Sequence, residues 1–389
     1  MYRIGRIVAP LCIALAASLS GCDKPEPERM RPEPKPTRPE PKRMRVGVIL
    51  PMTGLQSTFG DESWKGMQLA VEDLRKQGFN PELILRDEKS QKTEAGNQAK
   101  LLIENERVHV LVGSVASGHT RQAAIEARES AIPLITPAST NDTITVEGGP
   151  YVSRICFKDS FQGAVLAKFA LQRGWKSAVV VVDKGQPYST GLADSFKSVF
   201  EKAGGKTQFE YYTSGETDFS NTVQNAANHK ADAIVITGYY AEGGIMIRQG
   251  KEKWAGVPVL GGDGLDSPEL VGLVGDTKAE IYVVSHFAAD APDERVRNFA
   301  KRYEERFGQA PGAMAALGYD VLLVLADVAK RCPDPADSKA LARAIAETKG
   351  VECITGRIDL TTPDRTPIKD AVVVKVEGGL KFQATIPAQ

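Results

Sequence analysis

After residue 44, short apolar runs alternate with amphipathic stretches along almost the whole chain, and that alternation restricts it to an α/β architecture. RVGVIL (45–50) and the runs at 83–87, 108–112, 132–135 and 151–157 read as strands, with helices over 61–77, over 93–104 and from Ser117. A second series follows: helix 161–172, strand AVVVVD (178–183), helix 189–202, strand 207–212, helix 219–228, strand 232–237, helix 242–249 and strands 258–261 and 280–285. An unbroken β-branched run such as AVVVVD suits a central parallel strand covered on both faces. From 295 the pattern is helical (296–307, 313–330, 338–348), closing with strands near 354–360 and 371–376. Two βα series predict two doubly wound sheets, and 389 residues are enough for two lobes rather than one core. The cleft between two such lobes is a favoured place for a small-molecule site.

One stretch gives that cleft a chemistry. In GSVASGHTRQAAIEARESAIPLITPASTN (113–141), two strands empty into hydroxyl-rich loops: Ser114, Ser117 and Thr120 after the first, Thr136, Ser139 and Thr140 after the second. Ligands of open α/β sheets bind outside the carboxyl ends of the strands. Ser117 occupies the position of an N-cap, so the free N–H groups of its helix would face the crevice. A helix start with hydroxyl donors suits a small anion, most simply a carboxylate. Capping and strand ending account for each loop singly; two such loops on neighbouring strands favour a ligand site.

Other chemistries find little support. No G-x-G-x-x-G follows a strand, and P-loop, G-x-S-x-G, H-E-x-x-H and C-x-x-C patterns are absent. His109, His119, His229 and His286 are far apart in sequence, none beside a plausible Cys or Asp partner, and His119 reads as a surface residue at a helix start. Asp87, Glu88, Asp263 and Asp266 could be paired acids, but caps and turns explain most such carboxylates. Lys+Arg and Asp+Glu are both 49, which leaves no basic excess for nucleic acid. No cofactor or metal is expected.

The first residues read as a processing signal. Arg3 and Arg6 precede an apolar stretch over 7–19 that is too short to span a bilayer comfortably, and it ends in Leu19-Ser20-Gly21-Cys22. This resembles a bacterial lipobox, whose cysteine becomes the lipidated first residue; Asp23 resembles the signal that retains a lipoprotein on the inner membrane. Residues 23–44, with seven prolines among Glu, Lys and Arg, read as a disordered tether reaching roughly 60 Å at ~3.1 Å per residue. Among the later cysteines, Cys156 falls in an apolar strand as a buried thiol, while Cys332 and Cys353 could pair or stay free.

Several stretches together resemble the amino-acid-binding proteins of branched-chain-type ABC importers, the type I periplasmic binding proteins. They include RVGVILPMTGLQSTFGDESWKGMQLAVEDL, LVGSVASGHTRQAA, LITPASTND, RICFKDSFQG, VVDKGQPYSTGLADSF, ITGYYAEGGIMIRQ, VPVLGGDGLDSPEL and ALGYDVLLVLADV, in that order from Arg45 onward. The resemblance implies two Rossmann-like lobes joined by a three-crossover hinge: 1–22 signal, 23–44 tether, 45–157 plus 288–370 lobe 1, and 158–287 plus 371–389 lobe 2. It implies that Ser117, Ala138 and Thr140, with Ser139 between them, hold an α-carboxylate and amine through hydroxyls and backbone groups. Tyr188 and Tyr239 would approach from lobe 2, Asp263 would pair with the α-ammonium, and Phe59 would sit beside the ligand side chain. Enclosing a zwitterion strips its water, so each charge needs a partner.

The chain departs from the best-known leucine/isoleucine/valine binders. Phe59 replaces a tryptophan, Asp263 a glutamate, and Met314 stands near where those relatives carry an aromatic; Ala116 occupies one position of a cysteine pair that some of them use. Amino acid is therefore the supported class, ahead of leucine in particular. The expected partners are a free amino acid, an ABC permease and, through lipid on Cys22 alone, the inner membrane, with the protein monomeric and periplasmic. The alternative is a sensing receptor for an amino acid, amide or other small molecule; the missing catalytic patterns argue against an enzyme.

Overall fold

A computed structural model describes residues 43–388. The signal over 1–22, Cys22 and residues 23–42 of the tether lie outside the described residues. Arg43 and Met44, assigned to the tether from sequence, already belong to the folded body: Met44 is buried, and the Arg43 guanidinium donates to the Asn80 carbonyl at 2.8 Å.

The first βα series runs β1 (Arg45–Leu50), α1 (Ser57–Arg75), β2 (Glu82–Asp87), α2 (Lys92–Glu104), β3 (Val110–Gly113), α3 (Ser117–Glu129), β4 (Leu134–Thr136), α4 (Ile144–Glu147) and β5 (Val152–Arg154). The second runs α5 (Asp159–Gln172), β6 (Ser177–Asp183), α6 (Pro187–Lys202), β7 (Lys206–Tyr212), α7 (Ser220–Asn228), β8 (Ala233–Ile236), α8 (Tyr240–Gln249), β9 (Val259–Gly261), α9 (Pro268–Val274) and β10 (Ile281–Ser285). Then come α10 (Glu294–Phe307), α11 (Ala313–Arg331), α12 (Ser338–Ala346), β11 (Val351–Cys353), β12 (Gly356–Ile358), β13 (Ala371–Val376) and β14 (Leu380–Ile386).

One sheet has the order β2-β1-β3-β4-β5, all parallel. The other has the order β14-β13-β10-β9-β8-β6-β7, in which the five strands from β6 to β10 repeat the first sheet's winding. β13 and β14 extend it antiparallel at the β10 edge. Strand periodicity sorts the two faces of the first sheet: Val46, Val48 and Leu50 point into the main core, while Ile49 points into a second cluster with Leu111 and Leu134. The α10–α12 segment returns to the first lobe, where α11 lies along α1 so closely that a Cβ on Gly66 would fall 2.0 Å from the Ala315 carbonyl oxygen. The chain thus passes between lobes after β5, after β10 and before β13.

Two expectations change. The strand read over 354–360 is a hairpin of β11 and β12, because the Asp320 carboxylate accepts the amides of Ile354 and Thr355 and bends the chain there. β14 was not anticipated; its alternate residues face solvent, which leaves no apolar run to read. Cys156, Cys332 and Cys353 are all free and buried, so the open question about the last two resolves as unpaired.

Candidate functional site

The carboxyl ends of both sheets meet at one gap. Phe59 follows β1, Val115 and Ser117 follow β3, and Ala138 and Thr140 follow β4; Tyr188 follows β6, Tyr239 follows β8, and Asp263 with Gly264 follows β9. The contributing strands hold the same three places in each sheet, around the positions where the winding reverses direction. Together with Met314 at the start of α11 these residues line one narrow gap between the lobes.

The lobes touch across that space. The Asn141 side-chain amide donates to the Pro187 carbonyl at 2.8 Å, and the Thr58 amide donates to the Tyr240 hydroxyl at 3.3 Å. Lys92 donates to the Gly185 carbonyl, and the Phe59 ring packs against Tyr240 with centroids 4.8 Å apart.

Part of the lining offers groups for a negative charge. α3 starts there with Ala116, not Ser117, as its N-cap, and no side chain caps it. This corrects the reading from sequence: Ser117 already has helical backbone, and its hydroxyl accepts the Asn141 amide at 3.2 Å instead. The uncapped first turn keeps donors and the positive end of the helix dipole facing the space. The Thr140 and Tyr239 hydroxyls are buried, the first beside the Asp159 carboxyl and the second beside the Ser117 amide. Burial pushes both phenols, Tyr188 and Tyr239, well above the usual range, with the Asp263 carboxylate adding to the rise. Both therefore stay protonated. The Tyr188 hydroxyl accepts the Gly264 amide at 2.8 Å, a contact that requires glycine, since a Cβ there would lie 2.6 Å from the Tyr188 ring.

The same lining carries an acid. Asp263 is buried, with Oδ1 accepting from the Gln162 amide at 3.0 Å and Oδ2 lying 3.2 Å from His286 Nε2. Asp159 is buried behind it, and burial first, then the neighbouring Asp263, draws its carboxyl well above the usual range. The Asp263 carboxylate supplies the negative potential that a cationic group needs, while Asp159 is held toward its neutral form. Among the described residues no cluster has the makings of a metal site.

Of the eight residues proposed from sequence, seven line this space and Ser139 does not. Its hydroxyl turns toward the neighbouring segment after β3, 2.5 Å from that of Thr120 and 3.2 Å from the Ser114 carbonyl, because the two adjacent strand ends tie their polar groups to each other. Thr136 and Thr120 donate to the same Ser114 carbonyl and the Ser114 hydroxyl donates to Glu88, so four of the six loop hydroxyls support the wall rather than face the space. Arg154, fully buried, braces the loop from behind by donating to the carbonyls of Ser139 and Asn141 at 2.9 and 2.8 Å.

His119 is not a surface residue: it is buried, with Nδ1 2.6 Å from Glu88 Oε1, and Ser114 donates to the same carboxylate oxygen at 2.8 Å. Glu88 is accordingly a buried anchor, neither cap nor turn. Asp87 does act as a turn acceptor, for the amides of Met52 and Lys89. Asp266 is buried against Ser285, and burial pushes its carboxyl up to about 7. His286 was judged to lack an acidic partner and has one in Asp263. Neither it nor Gln162 was singled out, since no local pattern distinguishes either from a core polar residue.

Tyr239→Phe removes a hydroxyl donor without changing the ring. We expect it to weaken binding of a carboxylate-bearing ligand by roughly 1.5–3 kcal/mol, the usual worth of a hydrogen bond to a charged group. Calorimetric titration giving unchanged affinity would reduce Tyr239 to a packing residue.

A model of the periplasmic binding protein family matches residues 43–381. Leu/Ile/Val-binding protein homolog 3 of Brucella melitensis biotype 1 is 30% identical over 333 residues, covering 82% of this chain and 89% of that protein. The leucine binding protein LivK of Thermotoga maritima MSB8 superimposes with a TM-score of 0.84 at 38% identity, over 88% of this chain and 99% of its own. LivJ of Streptococcus pneumoniae, solved in complex with isoleucine, gives 0.81 at 29% identity, over 89% and 99%.

Proposed function

The chain belongs to the periplasmic binding protein family, and from that premise we propose that it captures a free amino acid between its lobes and delivers it to an ABC permease. It works outside the cytoplasm as a monomer, and it is a ligand carrier, not an enzyme. The observation that carries the reading is that one narrow gap brings together a helix start without a side-chain cap, the Ser117, Thr140, Tyr188 and Tyr239 hydroxyls and the Asp263 carboxylate. A carboxylate and an ammonium on one carbon would each find a partner there, as enclosure requires. Relatives described as Leu/Ile/Val-binding and a neighbour holding isoleucine support the same class. Phe59, Val115 and Met314 offer an apolar wall to the ligand's side chain. The contacts across the cleft require the lobes to be shut, so a ligand that bridges them draws the population toward closure. The LSGC sequence ending at Cys22 supports a lipid anchor on the inner membrane, with the proline-rich residues after it as spacer.

A thermal-shift screen against the twenty common L-amino acids tests this. One or a few should raise the melting temperature, because ligand at a hundred times Kd stabilises the native state by about 2.7 kcal/mol. A flat response across the panel would overturn the reading.

A further inference from the structure

Asp263 is held by two residues to which no role has yet been given. Gln162, in the first turns of α5, grips it twice: its side-chain carbonyl accepts the Asp263 amide at 2.5 Å while its Nε2 donates to Oδ1 at 3.0 Å. His286, immediately after β10, faces the other carboxylate oxygen through Nε2 at 3.2 Å, its ring stacked on Phe157 at 3.7 Å. Both side chains are buried. Each sits where the chain has just crossed, or is about to cross, between lobes. Among the described residues no lysine or arginine forms a salt bridge with Asp263.

We infer that Gln162 and His286 are positioning residues that fix Asp263 with its charge uncompensated, so that the site selects a ligand carrying a cationic amine and rejects the same acid without it. This deepens the amino-acid reading and rests on it. An amide brings donors but no charge. Burial holds the His286 imidazole below its usual range, so it too is neutral near pH 7, and the proton on Nε2 is the one it offers to Asp263. Its Nδ1 has no partner among the described residues. A buried carboxylate with a bound cation would be satisfied before any ligand arrived. With neutral donors alone its orientation is set and its lone pairs stay partly free, while the full attraction for an ammonium remains in a medium that screens it poorly. Gln162 Nε2 also lies 3.4 Å from Asp159 Oδ1, so one amide stands between the two acids.

The test is calorimetric titration of the full chain with the tightest amino acid from the panel and with the acid that lacks only its α-amine. The unaltered protein should prefer the amino acid by about a hundredfold or more, the factor expected when a buried charge loses its partner. Gln162→Leu, Gln162→Glu and His286→Leu should each weaken the amino acid about tenfold or more and leave the deaminated acid nearly unchanged, narrowing the preference. His286→Gln, which keeps a donor where Nε2 stands, should recover most of the loss. Equal weakening of both ligands would mark the pair as structural and overturn the inference, as would unchanged affinity in the variants. If one leucine variant does not fold, Gln162→Glu and His286→Gln still decide the matter. Absence of any amino-acid binding by the unaltered chain would overturn the underlying reading, and this inference with it.

Discussion

Asp263→Asn is expected to cut amino-acid affinity by about 3–5 kcal/mol, a factor of roughly a hundred to several thousand. The substitution keeps the side chain's size and removes its charge, so an enclosed ammonium would face an amide dipole in a site from which water has been excluded. Because Asp263 has only neutral partners, nothing else nearby is released to compensate. The same argument predicts the opposite sign without ligand: the unliganded variant should melt no lower than the parent and modestly higher, since an unpaired buried carboxylate is costly. Calorimetry and melting curves on one preparation check both halves. Retained affinity would remove Asp263 from the ligand's surroundings, whereas lost affinity with a collapsed melting temperature would mean that it holds lobe 2 together instead.

The largest expected effect on stability lies far from the ligand, where α1 and α11 meet. A Cβ on Gly318 would fall 2.3 Å from the Ser63 carbonyl oxygen, and one on Gly66 2.0 Å from that of Ala315. On each side the obstacle is helix backbone, which cannot rotate away as a side chain would. Gly318→Val therefore has to drive apart two helices of 19 residues each. Overpacking a core typically costs about 1–3 kcal/mol and occasionally more, and this contact belongs at or above the upper end. The melting temperature should fall by on the order of 10 °C. An unchanged transition would show that the two helices are not in backbone contact.

Much of this architecture can be read from residues alone, for a physical reason. RVGVIL and AVVVVD are covered on both faces, so apart from the end residues Arg45 and Asp183 their positions carry no polar side chain and the strands announce themselves. LKFQATI of β14 lies at a sheet edge with alternate residues in solvent, and its pattern is as faint as its burial. The α1 start falls four residues before its expected position because STFG carries no helix signal of its own; Phe59 packs on Tyr240 from across the cleft. The site divides the same way. Ser117, Thr140, Tyr188, Tyr239 and Asp263 follow strand ends, where both topology and family resemblance point. The residues that set their orientation do not. Gln162 meets Asp263 across 101 positions and His286 meets it across 23, with no local spacing to mark either pairing. Ser139 differs for the converse reason: its place after a strand end fits the pattern, but the Ser114 carbonyl after the neighbouring strand competes for its hydroxyl.

The return of the chain to its first lobe sets conditions on how the molecule can be made. Glu62 on α1 accepts the amide of Gly312, 250 positions later, and α11 then covers the adjoining face of α1. A nascent chain that has produced β1 to β5 carries every strand of the first sheet with α1 still bare on one side, and it stays so until the strands β6 to β10 have emerged. Contacts of such long sequence separation slow folding and leave sticky intermediates. Neither lobe is a contiguous piece that could be expressed alone by cutting at a crossover, and a chain stopped short of α11 would be work for chaperones.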